Sequence, residues 1–340
     1  MATIKELEYY LSQARRIAEH REREAELGIR KTYKTVLEDI RSFLGNEYAK
    51  NAKDDKLTYA DLQQKGQFAR FLEGVEKIVN EGTPEVSKQI KSTVNDVYKA
   101  CYDGMVNAVK KSSTTKELHD QLKGLKNTTP ETIKRAVENP ITGLTLDDTL
   151  EKNRKEVIYD IKREIGVGLA NGDRYTTMAK RLTERVDMDY RKAVTIVRTE
   201  THRVKEAGFH DSATDINKTL DKGTTTKRLQ KKWVSMRDER VRKTSKANHR
   251  KMDGVSIPVE EMFDLGRGVK AESPGNSGDA ANDIHCRCFL RYELVDIPTK
   301  ANKTSPQHEE KLKKIGSTEN YALEKNLEKP QRPRREDYED

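Results

Sequence analysis

Apolar residues at the start of the chain repeat at intervals of three and four, the spacing of one face of an α-helix. Ile4, Leu7, Leu11, Ala14 and Ala18 follow this pattern, and charged residues fill the positions between them. The pattern predicts an amphipathic helix that ends at Gly28. Its apolar stripe packs either on the protein's own core or on a partner protein.

The composition limits the size of the core. Charged residues make up 36% of the 340 positions and hydrophobic residues 34%. This balance predicts long helices and tails around a modest core. The sequence contains no run of the roughly 20 apolar residues that a membrane span needs, and its N-terminus does not resemble a signal peptide. Three cysteines do not form a disulfide framework, so we expect synthesis in a reducing cytoplasm.

The chain divides near Pro130, Pro140 and Gly143, which interrupt the helical pattern. We predict a helical N-terminal region over residues 1–128 and a linker over 129–146. Within the first region, Thr83 and Pro84 are typical of a helix start. After the linker the pattern predicts three helices, separated at Gly172–Asp173 and near Asp187–Asp189.

Beyond these helices the apolar period changes to that of β-strands. One predicted strand alternates through Leu229, Trp233, Ser235 and Arg237 and carries Trp233 inward, and "RCFLRYELVDI" predicts another. The fold class is therefore α+β, with a mostly helical N-terminal part and a helix-rich module with a small sheet over residues 147–297. Residues 298–340 balance acidic and basic residues and contain few large apolar ones, which predicts a flexible charged tail.

One short segment holds much of the positive charge. Between Gln230 and Met252 there are nine Lys or Arg residues against two acidic residues, in a chain with a net charge of +9. This stretch is either a solvated surface or a patch that contacts the phosphates of double-stranded DNA without reading its sequence. The DNA-binding candidates are Lys231, Lys232, Arg237, Arg240, Arg242, Lys243, Lys246, Arg250 and Lys251.

The segment "NDIHCRC" contains two of the three cysteines. Cys286 and Cys288 would face the same side of a strand, and three roles remain open for them. They pack against the strand of Trp233, they bind zinc together with ligands drawn from His249, His285 and Asp238, or they form a redox pair. A disulfide between them is disfavoured by its geometry. Cys101 lies on an apolar helical stripe and is predicted to be a core residue.

The segment from Asp238 to Arg242 has a structural and a catalytic interpretation. In the first, Asp238 pairs with Arg240 or Arg242 and stabilises a turn. In the second, Asp238 and His249 form an acid–base pair, which would make the chain a nuclease-like enzyme centred on these two residues, Cys286 and Cys288. The first is favoured, because neither a carboxylate cluster nor a Gly-rich phosphate loop accompanies Asp238.

Four segments in order, "IVRTETHRVKEAGF", "KKWVSMRDERVR", "HRKMDG" and "SPGNSGDAANDIHCRC", resemble the head-morphogenesis family of tailed bacteriophages, known as Mu F-like minor head proteins. The similarity runs from about Asp147 to Ile297. The residues that carry it, with predicted structural roles, are Arg198, Thr199, Glu200, Trp233, Asp238, Arg240, Arg242, His249, Asp253, Gly254, Cys286, Arg287 and Cys288. Arg198 and Glu200 are expected to tie their helix to the sheet, and His202 and His210 to pack along it or lie at its surface.

The resemblance implies a virion protein present in few copies inside the capsid or at the portal vertex. Such a protein takes part in head assembly in the host cytoplasm and leaves the capsid with the DNA. Its implied partners are the portal protein and a scaffold or major capsid protein. The family has no established reaction of its own, so we predict that the chain is not an enzyme and needs no cofactor, unless the cysteines bind zinc.

Overall fold

Three long helices form the frame of the protein. The structure is a computed structural model that describes residues 4–62, 66–113, 115–139, 143–244 and 247–296. The helices are α1 (Ile4–Asn51), α2 (Gln67–Ser112), α3 (Lys116–Leu122), α4 (Pro130–Glu138), α5 (Leu146–Asn171) and α6 (Tyr175–Asp221). The predicted tail, residues 298–340, and Lys246 lie outside the described residues. No helix in the ranges described is both long and apolar enough to cross a membrane.

Helix α1 continues well beyond Gly28, where the sequence pattern predicted its end. Its buried stripe goes on through residues such as Ile29, Ile40 and Leu44. Gly28 lies under the side chain of Gln89 on α2, and a Cβ atom there would be 2.8 Å from Gln89 Oε1. The predicted end was wrong because packing of the stripe outweighs the cost of a helical glycine, about 0.5–1 kcal/mol.

Helix α2 also starts earlier than predicted and includes Pro84. Thr83 is not a cap, because its hydroxyl donates a hydrogen bond to the Val79 carbonyl at 2.8 Å in the preceding turn. Buried residues on both sides of the proline, among them Val79 and Val86, form one stripe. Proline inside a helix costs about 3 kcal/mol. Burial of this long stripe keeps the helix continuous through Pro84.

The predicted break at Gly172–Asp173 is confirmed, and the one near Asp187–Asp189 is wrong. Gly172 ends α5 in the left-handed conformation, with φ +63°. In contrast, Asp189 lies inside α6 and is fully buried. Its carboxylate accepts hydrogen bonds from Arg185, whose guanidinium also lies 2.8 Å from Asp160 of α5. A charged cluster that resembles a loop in the sequence is thus a buried ion-pair network between two helices.

Helices α1, α2 and α6 approach one another closely at small residues. A Cβ atom on Gly208 of α6 would lie 2.7 Å from the Tyr98 carbonyl oxygen of α2, and one on Gly104 of α2 would lie 2.6 Å from Ala14 of α1. One hydrophobic core extends from Leu7 to Tyr292. The division into a region 1–128, a linker 129–146 and a module 147–297 stays a prediction.

The C-terminal part adds strands to this helical frame, which confirms the α+β class. Strand β1 (Lys227–Val234) lies between β2 (Ser256–Pro258) and β5 (Phe289–Asp296), while β3 (Phe263–Gly266) and β4 (Val269–Ala271) form a separate antiparallel pair. A 3-10 helix covers His249–Met252, and α7 covers Ala280–Asp283. Leu229 and Trp233 face inward as predicted, but β1 ends before Ser235 and Arg237.

The N-terminal helix packs on the protein's own core and reaches the sheet. The Arg15 guanidinium of α1 donates to the Leu290 carbonyl of β5 at 2.8 Å. It also lies 5.3 Å from the ring centroid of Phe209 and 5.1 Å from that of Phe289. The stripe residues Leu7, Leu11, Ala14 and Ala18 are all buried, so the apolar stripe of α1 packs on the protein's own core.

A buried polar cluster joins α6 to β1. Lys231 of β1 is fully buried, and its Nζ donates to the Glu272 carbonyl at 2.8 Å. Burial lowers the pKa of Lys231 to about 8. His210 of α6 is also buried, and this burial together with the nearby Lys231 lowers the pKa of His210 to about 3. Its Nε2 lies 3.7 Å from a carboxylate oxygen of Glu272. Lys231 therefore does not belong to a DNA-binding surface, which corrects the sequence-based assignment.

We predict opposite effects for two glycine-to-alanine substitutions in long helices. Gly208→Ala should destabilise the protein by about 1–3 kcal/mol, because the new methyl group meets a backbone carbonyl that cannot move aside. Gly45→Ala should stabilise it by about 0.5–1 kcal/mol, because the nearest atom to a Cβ there is 3.8 Å away. Urea unfolding of both variants tests this. Equal effects would contradict the close α2–α6 approach.

Burial of His210 predicts a loss of stability in acid. Between pH 6.5, the ordinary pKa, and about 3, the unfolded state binds a proton at His210 that the folded state does not bind. The free energy of unfolding should therefore fall by about 1.4 kcal/mol per pH unit from this group as the pH is lowered. Urea unfolding at a series of pH values should show a shallower fall for His210→Gln. An unchanged slope in His210→Gln would refute the assignment.

Candidate functional site

A tight turn at Gly254, just before β2, lies in the region where the segments that resemble the Mu F-like family meet. Gly254 has φ +84°, a conformation that favours glycine. Its N–H donates to the Trp233 carbonyl, and the Trp233 N–H donates to the Val255 carbonyl, both at 2.9 Å. Asp253 accepts the Ser235 N–H at 2.8 Å. The turn places the short helix that starts at His249 against the end of β1.

His249, Cys286 and Cys288 form a buried cluster, which we call the Cys–His cluster. The His249 Nδ1 atom lies 3.5 Å from Cys286 Sγ and 3.5 Å from Cys288 Sγ. The three donor atoms lie within 4.8 Å of one another. All three residues are at most 5% exposed, and the His249 ring meets the Trp233 ring edge-on with centroids 5.4 Å apart. The two cysteines share a side, as predicted.

The cysteines lie outside the strand that the sequence predicted for them. Strand β5 begins at Phe289, so Cys286 and Cys288 belong to the segment that leads into it. Both are free thiols. The hydrogen bond between them raises the pKa of Cys286 and lowers that of Cys288.

Two further residues orient the histidine. The His249 Nε2 atom lies 3.1 Å from Asn282 Oδ1, and the Asn282 amide donates to Asp279 Oδ2 at 2.6 Å. The second bond identifies Oδ1 as the acceptor that faces His249, so the histidine carries its proton on Nε2. The lone pair of Nδ1 then points toward the two sulfur atoms.

A second histidine borders the cluster from α6. His202 is buried beside Cys286, but its ring nitrogens lie outside the set of donor atoms that are within 4.8 Å of one another. Sequence analysis treated His202 as a packing or surface residue of the helix and did not consider Asn282. The segment "NDIHCRC" contained Asn282, but His202 lies more than 80 positions away from the cysteines and no local pattern connects them.

His285 lies apart from the cluster, although it is adjacent to Cys286 in the sequence. It is exposed and adopts a left-handed conformation with φ +59°. Its inclusion among the candidate metal ligands was therefore wrong. An extended segment alternates its side chains, and the left-handed residue turns the chain just before Cys286.

Asp238 pairs with a residue that the sequence analysis did not propose. Its two carboxylate oxygens accept hydrogen bonds from the Arg287 guanidinium at 2.6 and 2.7 Å. This bond lowers the pKa of Asp238 to about 2. The predicted ion pair with Arg240 or Arg242 was wrong: Arg240 contributes its backbone N–H at 3.0 Å, and the Arg242 guanidinium donates to the Ile284 carbonyl.

The same contacts bear on the proposed catalytic pair. Both carboxylate oxygens of Asp238 bind Arg287, and the two ring nitrogens of His249 face Asn282 and the cysteines. Proton transfer between Asp238 and His249 would need direct contact or one bridging water. The arrangement in the described residues therefore does not support the nuclease-like centre of Asp238, His249, Cys286 and Cys288.

The remaining DNA-binding candidates lie around a loop beside the Cys–His cluster. We call residues 235–251 the basic loop. Among its described residues, the exposed cations are Arg237, Arg240, Lys243, Arg250 and Lys251, whereas Lys232 of β1 and Arg242 are half-buried. Some of these charges are partly balanced. Arg237 pairs with Asp253 at 2.7 Å and Lys243 with Glu239 at 3.5 Å.

Arg198 and Glu200 connect α6 to other helices and not to the sheet. Arg198 binds Glu26 of α1 through two hydrogen bonds of 2.5 and 2.6 Å. Glu200 binds Arg203 at 2.9 Å, and Arg203 donates to the carbonyls of Ala136 and Val137 at the end of α4. The predicted link to the sheet was wrong, because these side chains face the helices.

Comparison with known proteins identifies the family. The sequence family described as "Phage Mu protein F like protein" matches residues 159–291, from α5 to β5. The chain is 30% identical over 278 residues to "Minor head protein GP7" of Bacillus phage SPP1, which covers 81% of this chain and 84% of that protein.

A second relative is longer than this chain. The chain is 26% identical over 274 residues, 78% of its length, to "NAD(+)--arginine ADP-ribosyltransferase EFV" of Enterococcus faecalis (strain ATCC 700802 / V583), and it spans 50% of that protein. No solved structure matches the chain. The match to the minor head protein covers most of both chains, and the family match includes α6 and the sheet. The chain therefore belongs to the Phage Mu protein F-like family.

Proposed function

We propose that this chain is a minor head protein of a tailed phage, built into the head in few copies near the portal vertex. The observation that carries the proposal is the similarity to a minor head protein over 84% of that protein's length. Such coverage includes helical segments outside the family match at residues 159–291, so the relationship extends beyond one shared module. The proposed partners are the portal protein and a scaffold or major capsid protein.

The basic loop supports a further role in contact with packaged DNA and in its delivery. Five of its cations are exposed, and the chain carries a net charge of +9. Trp233, the aromatic residue nearest this loop, is fully buried. Base stacking is therefore not available there, and contact with phosphates is the interaction that the exposed side chains favour. Such binding would not depend on DNA sequence.

The same geometry favours a structural over an enzymatic role. The Cys–His cluster is buried under Trp233 and the basic loop, so a substrate does not reach it in this conformation. The chain spans half of the ADP-ribosyltransferase relative. That relative's activity therefore is not part of the proposed function.

Virion composition tests the proposed role. Quantitative mass spectrometry of purified particles should find this chain at a copy number far below that of the major capsid protein. Particles made without the chain should show a defect in head assembly or in infectivity. Absence of the chain from wild-type particles, or a copy number equal to that of the major capsid protein, would contradict the proposal.

DNA binding is tested by a matched set of charge substitutions. Affinity for double-stranded DNA should fall steeply with salt, and replacing the exposed Arg240 and Lys251 by Gln should weaken it. The slope of log K against log salt should decrease in magnitude by about 0.9 for each phosphate that the variant no longer neutralises. Lys231→Met removes a positive charge from the same stretch of sequence at a buried position and should leave affinity unchanged. Equal effects of the buried and exposed substitutions would exclude the basic loop as the contact surface.

A further inference from the structure

The Cys–His cluster has the separations of a metal site. Zinc binds sulfur at about 2.3 Å and nitrogen at about 2.0–2.1 Å, so a tetrahedral site separates a sulfur ligand from a nitrogen ligand by about 3.5 Å. The His249 Nδ1 atom lies 3.5 Å from each of the two sulfur atoms. A neutral imidazole nitrogen has one lone pair and accepts one S–H proton along it. Two sulfur atoms at the same distance suit an ion bound between all three atoms.

We propose that His249, Cys286, Cys288 and His202 bind one Zn²⁺ ion in a closed structural site. Two thiolates and two imidazoles form a ligand set that zinc favours. The charge of the ion and those of two thiolates cancel, so the site is neutral and suits a buried position. Four protein ligands leave no open coordination position, which assigns the ion a structural and not a catalytic role.

The residues behind His249 have the arrangement that supports metal-ligating histidines. Such histidines donate their second ring N–H to a fixed oxygen atom, which sets the tautomer and the orientation of the ring. Here Asn282 Oδ1 accepts from His249 Nε2 at 3.1 Å, and Asp279 holds the Asn282 amide at 2.6 Å. This chain of bonds directs Nδ1 toward the sulfur atoms.

The fourth ligand comes from α6. His202 is buried beside Cys286. Its ring nitrogens lie outside the group of donor atoms that are within 4.8 Å of one another, so the proposed site requires the ring to move toward the ion. The turn that contains Gly275 closes over this ring: a Cβ atom on Gly275 would lie 3.0 Å from His202 Cδ2. Asn276 fastens the turn by donating to the Arg203 carbonyl at 3.0 Å. The ring thus lies between the helix and the turn, beside Cys286.

The proposed ion would join three separate parts of the chain. His202 lies on α6, His249 on the short helix that ends the basic loop, and the cysteines on the segment that enters β5. The sheet that contains β1 and β5 has three strands. Few strands therefore connect these parts. A zinc ion would therefore hold the basic loop and β5 against α6. The proposal concerns the stability of this region and does not depend on the role in the virion.

Metal analysis of the wild-type protein tests the proposal without any variant. Protein produced with added zinc and freed of excess metal should contain one zinc ion per chain. Replacement of zinc by cobalt(II) should give the intense visible bands of a tetrahedral site together with thiolate-to-cobalt charge-transfer bands. Zinc far below one per chain, or a cobalt spectrum of an octahedral site without thiolate bands, would overturn it.

Matched variants test the individual ligands. Cys286→Ser and His249→Asn should lose the zinc, whereas Cys101→Ser, at a buried thiol on α2, and His285→Asn, next to Cys286 but exposed, should each keep one ion per chain. Asn282→Ala preserves all four ligands and should weaken zinc binding by about 10–100-fold. His202→Asn should abolish the four-coordinate cobalt spectrum. A variant at His202 with an unchanged spectrum would overturn the closed four-ligand site, and loss of zinc in the two control variants would overturn the assignment of its ligands.

Discussion

The close approach of α6 to α2 at Gly208 positions the whole C-terminal half of the fold. The missing side chain lets two long helices meet with a backbone carbonyl 2.7 Å from where a Cβ atom would be. Helix α1 lies against the same pair, with Gly104 facing Ala14. Because close packing of this kind tolerates little change in volume, it fixes the position of α6 along its length. The described residues between α6 and Asp296 pack on a face of α6 whose position these contacts set.

That face of α6 is polar, and its buried charges are bound by backbone groups of the parts that cover it. Arg203 donates to carbonyls at the end of α4, and the fully buried Glu206 accepts the Leu290 N–H of β5 at 2.9 Å. Buried charges are stabilising only when such partners are present. Each of these hydrogen bonds forms only when the neighbouring segment lies in one position. The buried charges of α6 therefore determine where the small sheet packs.

The Cys–His cluster links the basic loop to the segment that enters β5. Arg287, between the two cysteines, binds Asp238 at the start of the basic loop, and His249 at the loop's end faces both sulfur atoms. The loop is thus anchored at both ends to the segment that enters β5. If the loop contacts DNA as proposed, anchoring at both ends would lower the entropy cost of that contact.

Local patterns in the amino-acid sequence were enough to establish the helical character of the first two thirds, the α+β class, the inward position of Trp233, and the family through four short segments in order. Those properties follow from local periodicity and from residue order, which can be read directly from the amino-acid sequence. Tertiary packing was needed to show that Gly28, Pro84 and Asp189 lie inside continuous helices, because burial of long stripes and an ion pair outweighs local preference. It was also needed to show that Lys231 is buried, that Asp238 pairs with Arg287, and that His202 borders the cysteines while His285 turns away. These outcomes depend on which distant segments meet, and packing against α6 makes that choice.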